Sequence, residues 1–170
     1  LKRAWISMGA NLGNPEKSLT RVLEKLHMVP DIILEAVSPF YRTAPVDYEN
    51  QPFFVNAAVR VRTTLIPEDL LACLLRLQAE AGQKEKVFRY GPRMLDLDLL
   101  LYESSVHCSD TLILPHPRFH RRRFVLRPLC DIDPDMIHPL LHESMQELLQ
   151  QLPANSQWVE RILCPASLLP

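Results

Sequence analysis

Apolar residues recur at every second position in some stretches and at every third or fourth in others, and this change of period divides the chain into strands and helices. Ala4 to Met8 reads as a short buried strand. It runs into Gly9-Ala10-Asn11-Leu12-Gly13, whose glycines and asparagine suit the positive φ angles of a tight connection. A helix is predicted next: Asn14 can cap it, Pro15 fits its first turn, Leu19, Val22, Leu23 and Leu26 share one face, and Pro30 closes it. Ile32 to Tyr41 reads as one strand and Phe53 to Thr63 as another. In the second, Phe53, Val55, Ala57, Val59 and Val61 alternate with Phe54, Asn56, Ala58, Arg60 and Arg62. A second helix starts at Pro67 with Glu68 and Asp69 in its first turn, carries Leu70, Leu74, Leu77 and Ala81 on one stripe, and stops at Gly82. A charged loop from Gln83 to Arg93 leads to a further strand over Leu95 to Leu101.

The resulting order, β-α-β-β-α-β, predicts an α+β, ferredoxin-like fold with an antiparallel sheet, both helices on one face and the other face available. From Val106 onward the chain is proline-rich and irregular until a short helical pattern at Glu143 to Leu152, so this part is expected as a C-terminal appendage on the same core. With 47% hydrophobic residues, positions 1–170 are read as a single domain. No apolar run approaches the roughly 20 residues of a membrane span, and no basic and apolar signal pattern opens the chain. Cys73, Cys108, Cys130 and Cys164 are scattered and read as reduced thiols. A cytoplasmic monomer with neither membrane nor nucleic-acid partner is expected, since a net charge of -1 gives no global pull on polyanions. Positive charge is concentrated locally instead, in Arg89, Arg93, Arg118, Arg121, Arg122, Arg123 and Arg127.

The sharpest local feature is Leu95-Asp96-Leu97-Asp98-Leu99, which places both aspartates on one strand face with Cα atoms roughly 6.6 Å apart. Both carboxylates could then reach two Mg²⁺ ions about 3.5–4 Å apart; an exposed edge strand with an acidic face gives the same pattern. Arg89-Tyr90-Gly91-Pro92-Arg93 delivers two guanidinium groups beside them. Arginines and Mg²⁺ together form the charge clamp of phosphoryl transfer, while simple salt bridges to the aspartates are the alternative. The spacing of His116 and His120 suits zinc poorly because Pro117 intervenes and no further ligand is near; His116 fits better as a phosphate donor. Phe54 and Phe124 could sandwich a planar heterocycle whose edge Asn56 reads, or else pack in the core. There is no G-x-x-x-x-G-K-[ST] motif, and with four glycines in the chain a glycine-rich phosphate cradle is excluded.

Arg89-x-Gly-Pro-Arg-x-x-Asp-Leu-Asp-Leu-Leu100 resembles the signature of the 6-hydroxymethyl-7,8-dihydropterin pyrophosphokinase family. Gly9-Ala-Asn-Leu12, Phe40-Tyr-Arg-Thr-Ala-Pro-Val46, Phe54-Val-Asn-Ala-Ala58, Leu114-Pro-His116 and Arg122-x-Phe124 are similar to further elements of that family in the same order, from residue 6 to about 129. The resemblance implies transfer of the β,γ-diphosphate of ATP to 6-hydroxymethyl-7,8-dihydropterin, with AMP as the other product. By it, Asp96 and Asp98 would bind two Mg²⁺, and Arg89, Arg93, His116 and Arg122 would contact the phosphates. Leu99 and Ile113 would line the adenine site. Phe54 and Phe124 would stack the pterin, Asn56 would read its edge, and Thr43, Pro45 and Val46 would border the pocket. Three departures stand out: Gln83 where the family has a loop arginine, for which Lys84 or Lys86 is the candidate replacement; Gln78 for a glutamate; and Arg123 for a glycine beside Phe124.

Overall fold

Period-two segments form the strands of one antiparallel sheet, and period-3.6 segments form helices packed on it. The computed structural model describes residues 1–45, 49–82 and 94–162. Strand β1 (Lys2–Ala10) leads to α1 (Pro15–His27), β2 (Ile32–Val37), β3 (Phe40–Thr43), β4 (Phe54–Thr63), α2 (Pro67–Glu80) and β5 (Asp96–Tyr102). The sheet runs β5-β1-β4-β3, with β2 also paired to β4, and every pairing is antiparallel. This is the predicted split βαβ arrangement.

Local chemistry accounts for the element ends. The Asn14 side chain accepts from the Lys17 N–H at 3.0 Å and Pro15 occupies the first turn of α1. Helix α2 ends at Glu80, two residues before Gly82, whose φ of +94° turns the chain away. The expected strand from Ile32 to Tyr41 is two strands. Pro39 has no N–H for a ladder, and Ser38 bonds Ala58 through both its backbone N–H and its hydroxyl, at 2.9 Å each, so the chain steps sideways there and resumes on β4 as β3.

The stretch beyond Val106 is far more regular than its prolines suggest. A short hairpin, β6 (His107–Cys108) and β7 (Ile113–Leu114), is followed by a 3₁₀ turn (Phe119–Arg121), α3 (Arg123–Ile132), α4 (Met145–Gln151) and β8 (Val159–Ile162), which adds to β3. Helix α3 carries Pro128 within it, yet Val125, Leu126, Leu129 and Cys130 form a buried stripe. Ser144 and Glu147 make a reciprocal capping box on α4.

Two cores result. On one face of the sheet, Leu19, Leu23 and Leu26 of α1 and Leu70, Leu74 and Leu77 of α2 pack on Ile6, Met8, Val55, Val59, Val61, Leu97 and Leu99. On the other, Val125, Leu126 and Leu129 of α3 with Leu148 and Leu149 of α4 pack on Trp5, Ala58, Leu100 and Leu101. The appendage therefore covers the Trp5 end of the second face and leaves the Asp96 end for other contacts.

Asp133, at the C-terminus of α3, fastens this second layer down. It accepts from the Trp5 indole N–H at 2.6 Å and from Arg60 Nη1 at 2.7 Å, joining the helix to β1 and β4. Asp133→Ala leaves the buried indole donor unpaired, so a loss of about 1–3 kcal/mol is expected. Urea denaturation should show a lower midpoint with an unchanged slope, and Asp133→Asn, which retains an acceptor, should recover part of the loss.

Candidate active site

The register of three strands assembles the site's first half. Asp96 of β5 lies opposite Gly9 of β1, Gly9 lies opposite Asn56 of β4, and Asn56 lies opposite Tyr41 of β3. Residues directly opposite share a face, so Asp96 and Asn56 stand on the same side of the sheet two strands apart, roughly 10 Å at the usual interstrand spacing. Asp98 lies beside Asp96 on that face, opposite Ser7, while Leu95, Leu97 and Leu99 enter the α1/α2 core. Phe54 is on the Asn56 face, opposite Thr43.

Gly9 does not act through a positive φ, as the turn reading expects. It lies within β1, and a Cβ there would come 2.6 Å from Asn56 Oδ1. The glycine is the floor on which the Asn56 amide lies, while Asn56 Nδ2 donates to the buried Thr43 hydroxyl at 2.7 Å. The amide is thus fixed in orientation yet retains a second N–H and its oxygen lone pairs. Gly13, with φ +63°, is the glycine that makes the turn.

An irregularity in β5 brings up the second half. The register against β1 shifts between Trp5 and Ile6, so that Leu100 is an extra residue and its carbonyl accepts from the His116 N–H at 2.9 Å. His116 is thereby anchored two residues along the strand from Asp98. Its Nδ1 accepts from the Arg118 N–H at 3.3 Å, which leaves the imidazole proton on Nε2. Burial, then the nearby Arg122 and Arg118 guanidinium groups, push His116 down to about 4, with Asp96 pulling weakly the other way. At neutral pH it is an uncharged donor. His120 points elsewhere, its ring 5.8 Å from that of His138, so the two histidines of the H-x3-H spacing do not converge.

Arg122 sits at the N-terminus of α3, its guanidinium carbon 5.7 Å from the centroid of the Phe124 ring. A cleft of about 300 Å³ runs along the outer side of β5, bordered by Gln78, Asp96, Asp98, Leu99, Ile113 and His116. Gln78 Oε1 accepts from the Leu97 N–H at 2.5 Å in the wall of this cleft.

The structure thus brings Asp96, Asp98, Leu99, Ile113 and His116 to one cleft, and Phe54, Asn56 and Thr43 to the adjoining sheet face, with Arg122 near His116. Pro45 follows β3 directly. Val46, Gln83, Lys84, Lys86, Arg89 and Arg93 lie outside the described residues. Sequence reading missed the role of Gly9 as a floor, because nothing in its neighbours announces which side chain will lie across it; it also missed Gln157, whose oxygen accepts from the Phe124 N–H at 3.1 Å.

Among the described residues no three His, Cys, Asp or Glu side chains converge on a common point. Two adjacent carboxylates are nevertheless the donor set that suits Mg²⁺, which retains several waters and takes its remaining oxygens from substrate phosphates. The residues fit a cation that arrives with a phosphorylated substrate.

The family model for 7,8-dihydro-6-hydroxymethylpterin-pyrophosphokinase matches residues 5–134. The chain is 36% identical over 162 residues to 2-amino-4-hydroxy-6-hydroxymethyldihydropteridine pyrophosphokinase of Methylorubrum extorquens, covering 95% of this chain and 99% of that protein. It is 34% identical to the protein of the same name from Aquifex aeolicus, over 84% of this chain and 88% of the relative. It is 38% identical to the folic acid synthesis protein fol1 of Schizosaccharomyces pombe over 91% of this chain but only 21% of that protein, so it spans about a fifth of that relative's length. Among solved structures, the wild-type Plasmodium falciparum HPPK-DHPS with SDX-DHP superposes on 88% of this chain and 43% of that one with a TM-score of 0.65, at 13% identity, a likeness of fold.

The depressed His116 gives a test by pH. Its folded value of about 4 lies below the ordinary imidazole value near 6.5, so in that window the unfolded chain binds the proton first. The stability His116 contributes is complete above about pH 6.5 and is lost as pH falls toward 4. Urea midpoints between pH 7.5 and 4.5 should fall less steeply for His116→Asn than for the parent chain, and ring titration by NMR should place the His116 transition below that of an exposed histidine.

Proposed function

We propose that this chain, which belongs to the 7,8-dihydro-6-hydroxymethylpterin-pyrophosphokinase family, works through two adjoining half-sites: ATP in the cleft along β5 and the hydroxymethyl dihydropterin on the open face of β4 and β3. It is a pyrophosphokinase acting on hydroxymethyldihydropterin in folate synthesis, with ATP as donor. The observation that carries the residue assignment is the row Asp96, Gly9, Asn56 across three strands. It puts the two carboxylates and the Asn56 amide on one sheet face at a separation that a bicyclic ring with its hydroxymethyl arm would span, which supports giving the cation to the first and the pterin edge to the second.

Asp96 and Asp98 would hold two Mg²⁺, which would supply charge neutralisation for the ATP phosphates. His116 donates its Nε2 proton to a phosphate oxygen without adding a charge, and Arg122 offers a planar fork to the same group. Arg89 and Arg93 supply further positive charge from the preceding loop. Leu99 and Ile113 give the adenine an apolar wall, and Ile113 is half exposed at the cleft's rim. Phe54 and Phe124 stack the pterin, Asn56 pairs with its edge, and Thr43, Pro45 and Val46 border it. With both substrates oriented, the pterin hydroxymethyl oxygen attacks the β-phosphorus and AMP leaves. The domain of residues 1–170 acts as a monomer without a nucleic-acid partner, in the cytoplasm, where the free thiols of Cys73, Cys108 and Cys130 would stay reduced. No helix among the described residues is long and apolar enough to cross a membrane.

Incubation with ATP, Mg²⁺ and 6-hydroxymethyl-7,8-dihydropterin should yield AMP in proportion to the pterin consumed; release of pyrophosphate instead would refute the reaction. Asp96→Asn and Asp98→Asn should each lower kcat by about 10²–10³-fold, since each removes one charge from the cation site. Circular dichroism should be unchanged, and turnover near the parent level at saturating Mg²⁺ would rule the pair out.

Phe124→Ala should weaken pterin binding by on the order of 1–3 kcal/mol, the scale of aromatic stacking on a base. Binding of a non-hydrolysable ATP analogue should hardly change, and calorimetry on each ligand separately decides the matter.

A further inference from the structure

The first turn of α3 begins with an unfilled need. The N–H groups of a helix's first turn have no partner within the helix, and Arg122 at the cap position offers no side-chain bond to them. For Phe124, the second residue of that helix, the partner comes from a remote part of the chain. Gln157, just before β8, accepts from the Phe124 N–H at 3.1 Å. The same amide donates through Nε2 to the carbonyl of Ala44 at 2.9 Å. A donor on one side and an acceptor on the other fix which way round the amide lies.

Ala44 is itself gripped twice. Its N–H donates to the carbonyl of Trp158 at 3.1 Å while its carbonyl takes the Gln157 amide, so two successive residues hold both of its polar groups. Ala44 lies between Thr43, which orients Asn56, and Pro45. Arg123, which stands where a glycine is expected, closes the arrangement. Its guanidinium donates to the carbonyls of Leu152 at 3.3 Å and Pro153 at 2.9 Å, holding the connection between α4 and β8 against the start of α3.

We propose that Gln157 is a positioning residue of the pterin half-site, joining Phe124 to the wall at Ala44 so that the stacking ring and the edge-reading Asn56 are held at a fixed separation, with Arg123 locking the segment that carries it. The proposal rests on Phe124 stacking the pterin. Through Gln157 the first turn of the helix is joined to Ala44, just past the end of β3, by one side chain. The body of α3 is tied to β3 separately, the Tyr41 hydroxyl donating to Asp131 at 2.6 Å and accepting from Arg127 Nε at 3.2 Å, so loss of Gln157 releases the Phe124 end of the helix and leaves the rest in place.

The test uses the full chain and three variants: Gln157→Leu, which fills the space but makes neither bond; Gln157→Glu, which retains the acceptor for Phe124 and loses the donor to Ala44; and Phe124→Ala. Gln157→Leu, which loses both bonds, should raise the Kd for 6-hydroxymethylpterin about fivefold to tenfold, because it reaches the pterin only through the placement of Phe124, with the Kd for a non-hydrolysable ATP analogue within about twofold of the parent. In kinetics the KM for the pterin should rise more than kcat falls. Hydrogen exchange at the Phe124 amide should quicken in Gln157→Leu and stay slow in Gln157→Glu, whose pterin Kd should lie between the two. Unchanged pterin affinity in Gln157→Leu, or equal weakening of both ligands, overturns the proposal. If Phe124→Ala weakens the pterin while Gln157→Leu does not, the positioning role alone is lost; if neither does, the stacking assignment falls with it.

Discussion

The antiparallel register of β1 between β4 and β5 is the constraint on which the site depends. Because β1 pairs on both sides, its residues fix which side chains of its two neighbours lie in line, and a slip of one residue would send Asp96 or Asn56 into the α1/α2 core. That slip is prevented by burial: Ile6 and Met8 alternate with Ser7 and Gly9, and only one register puts the apolar pair between Val59 and Leu99, and Ala57 and Leu97. The core thus sets the alignment of the polar face, and Gly9 supplies the gap into which Asn56 settles.

Regularity in β1 is complemented by irregularity in its neighbours. The extra residue at Leu100 lets Leu100 and Leu101 both enter the second core, returns Tyr102 to the first, and frees a carbonyl for His116. The step at Ser38 and Pro39 lets the chain run along β4 twice, ending at Thr43 beside Asn56. Helices α3 and α4 then cover the Trp5 half of the second face and stop short of the carboxylates, and the arginine and phenylalanine that reach back toward the site come from the first turn of α3. Burial of the histidine in this layer has an electrostatic consequence, since the desolvation that anchors it also keeps it uncharged beside Arg122.

Much of this was legible in the sequence wherever the information is local. The leucines flanking Asp96 and Asp98, the valine alternation of β4 and the caps of α1 each encode their structure within a few residues, and the element order follows from them. Helix α3 was hidden because Pro128 reads as a breaker; its missing N–H falls in the second turn, where Val125 and Leu129 still bury their faces. The strand β8 was hidden because a short pattern of mixed polarity signals pairing only when a partner is at hand. The tasks of Gly9 and Gln157 are set by residues 47 and 33 positions away, a kind of contact that no window of the sequence contains.

Gln78 and His116 serve the cleft, but they also close the sheet. Strand β5 is the last in its order, and such a strand offers a row of outward N–H and C=O groups to any extended chain that meets it. Here the outward N–H of Leu97 is taken by the Gln78 side chain and the carbonyl of Leu100 by the His116 backbone. A strand from a neighbouring molecule would have to displace both before it could add to the ladder. The contacts that shape this cleft therefore also resist edge-to-edge aggregation, so a change at Gln78 bears on solubility as directly as on the cleft it borders.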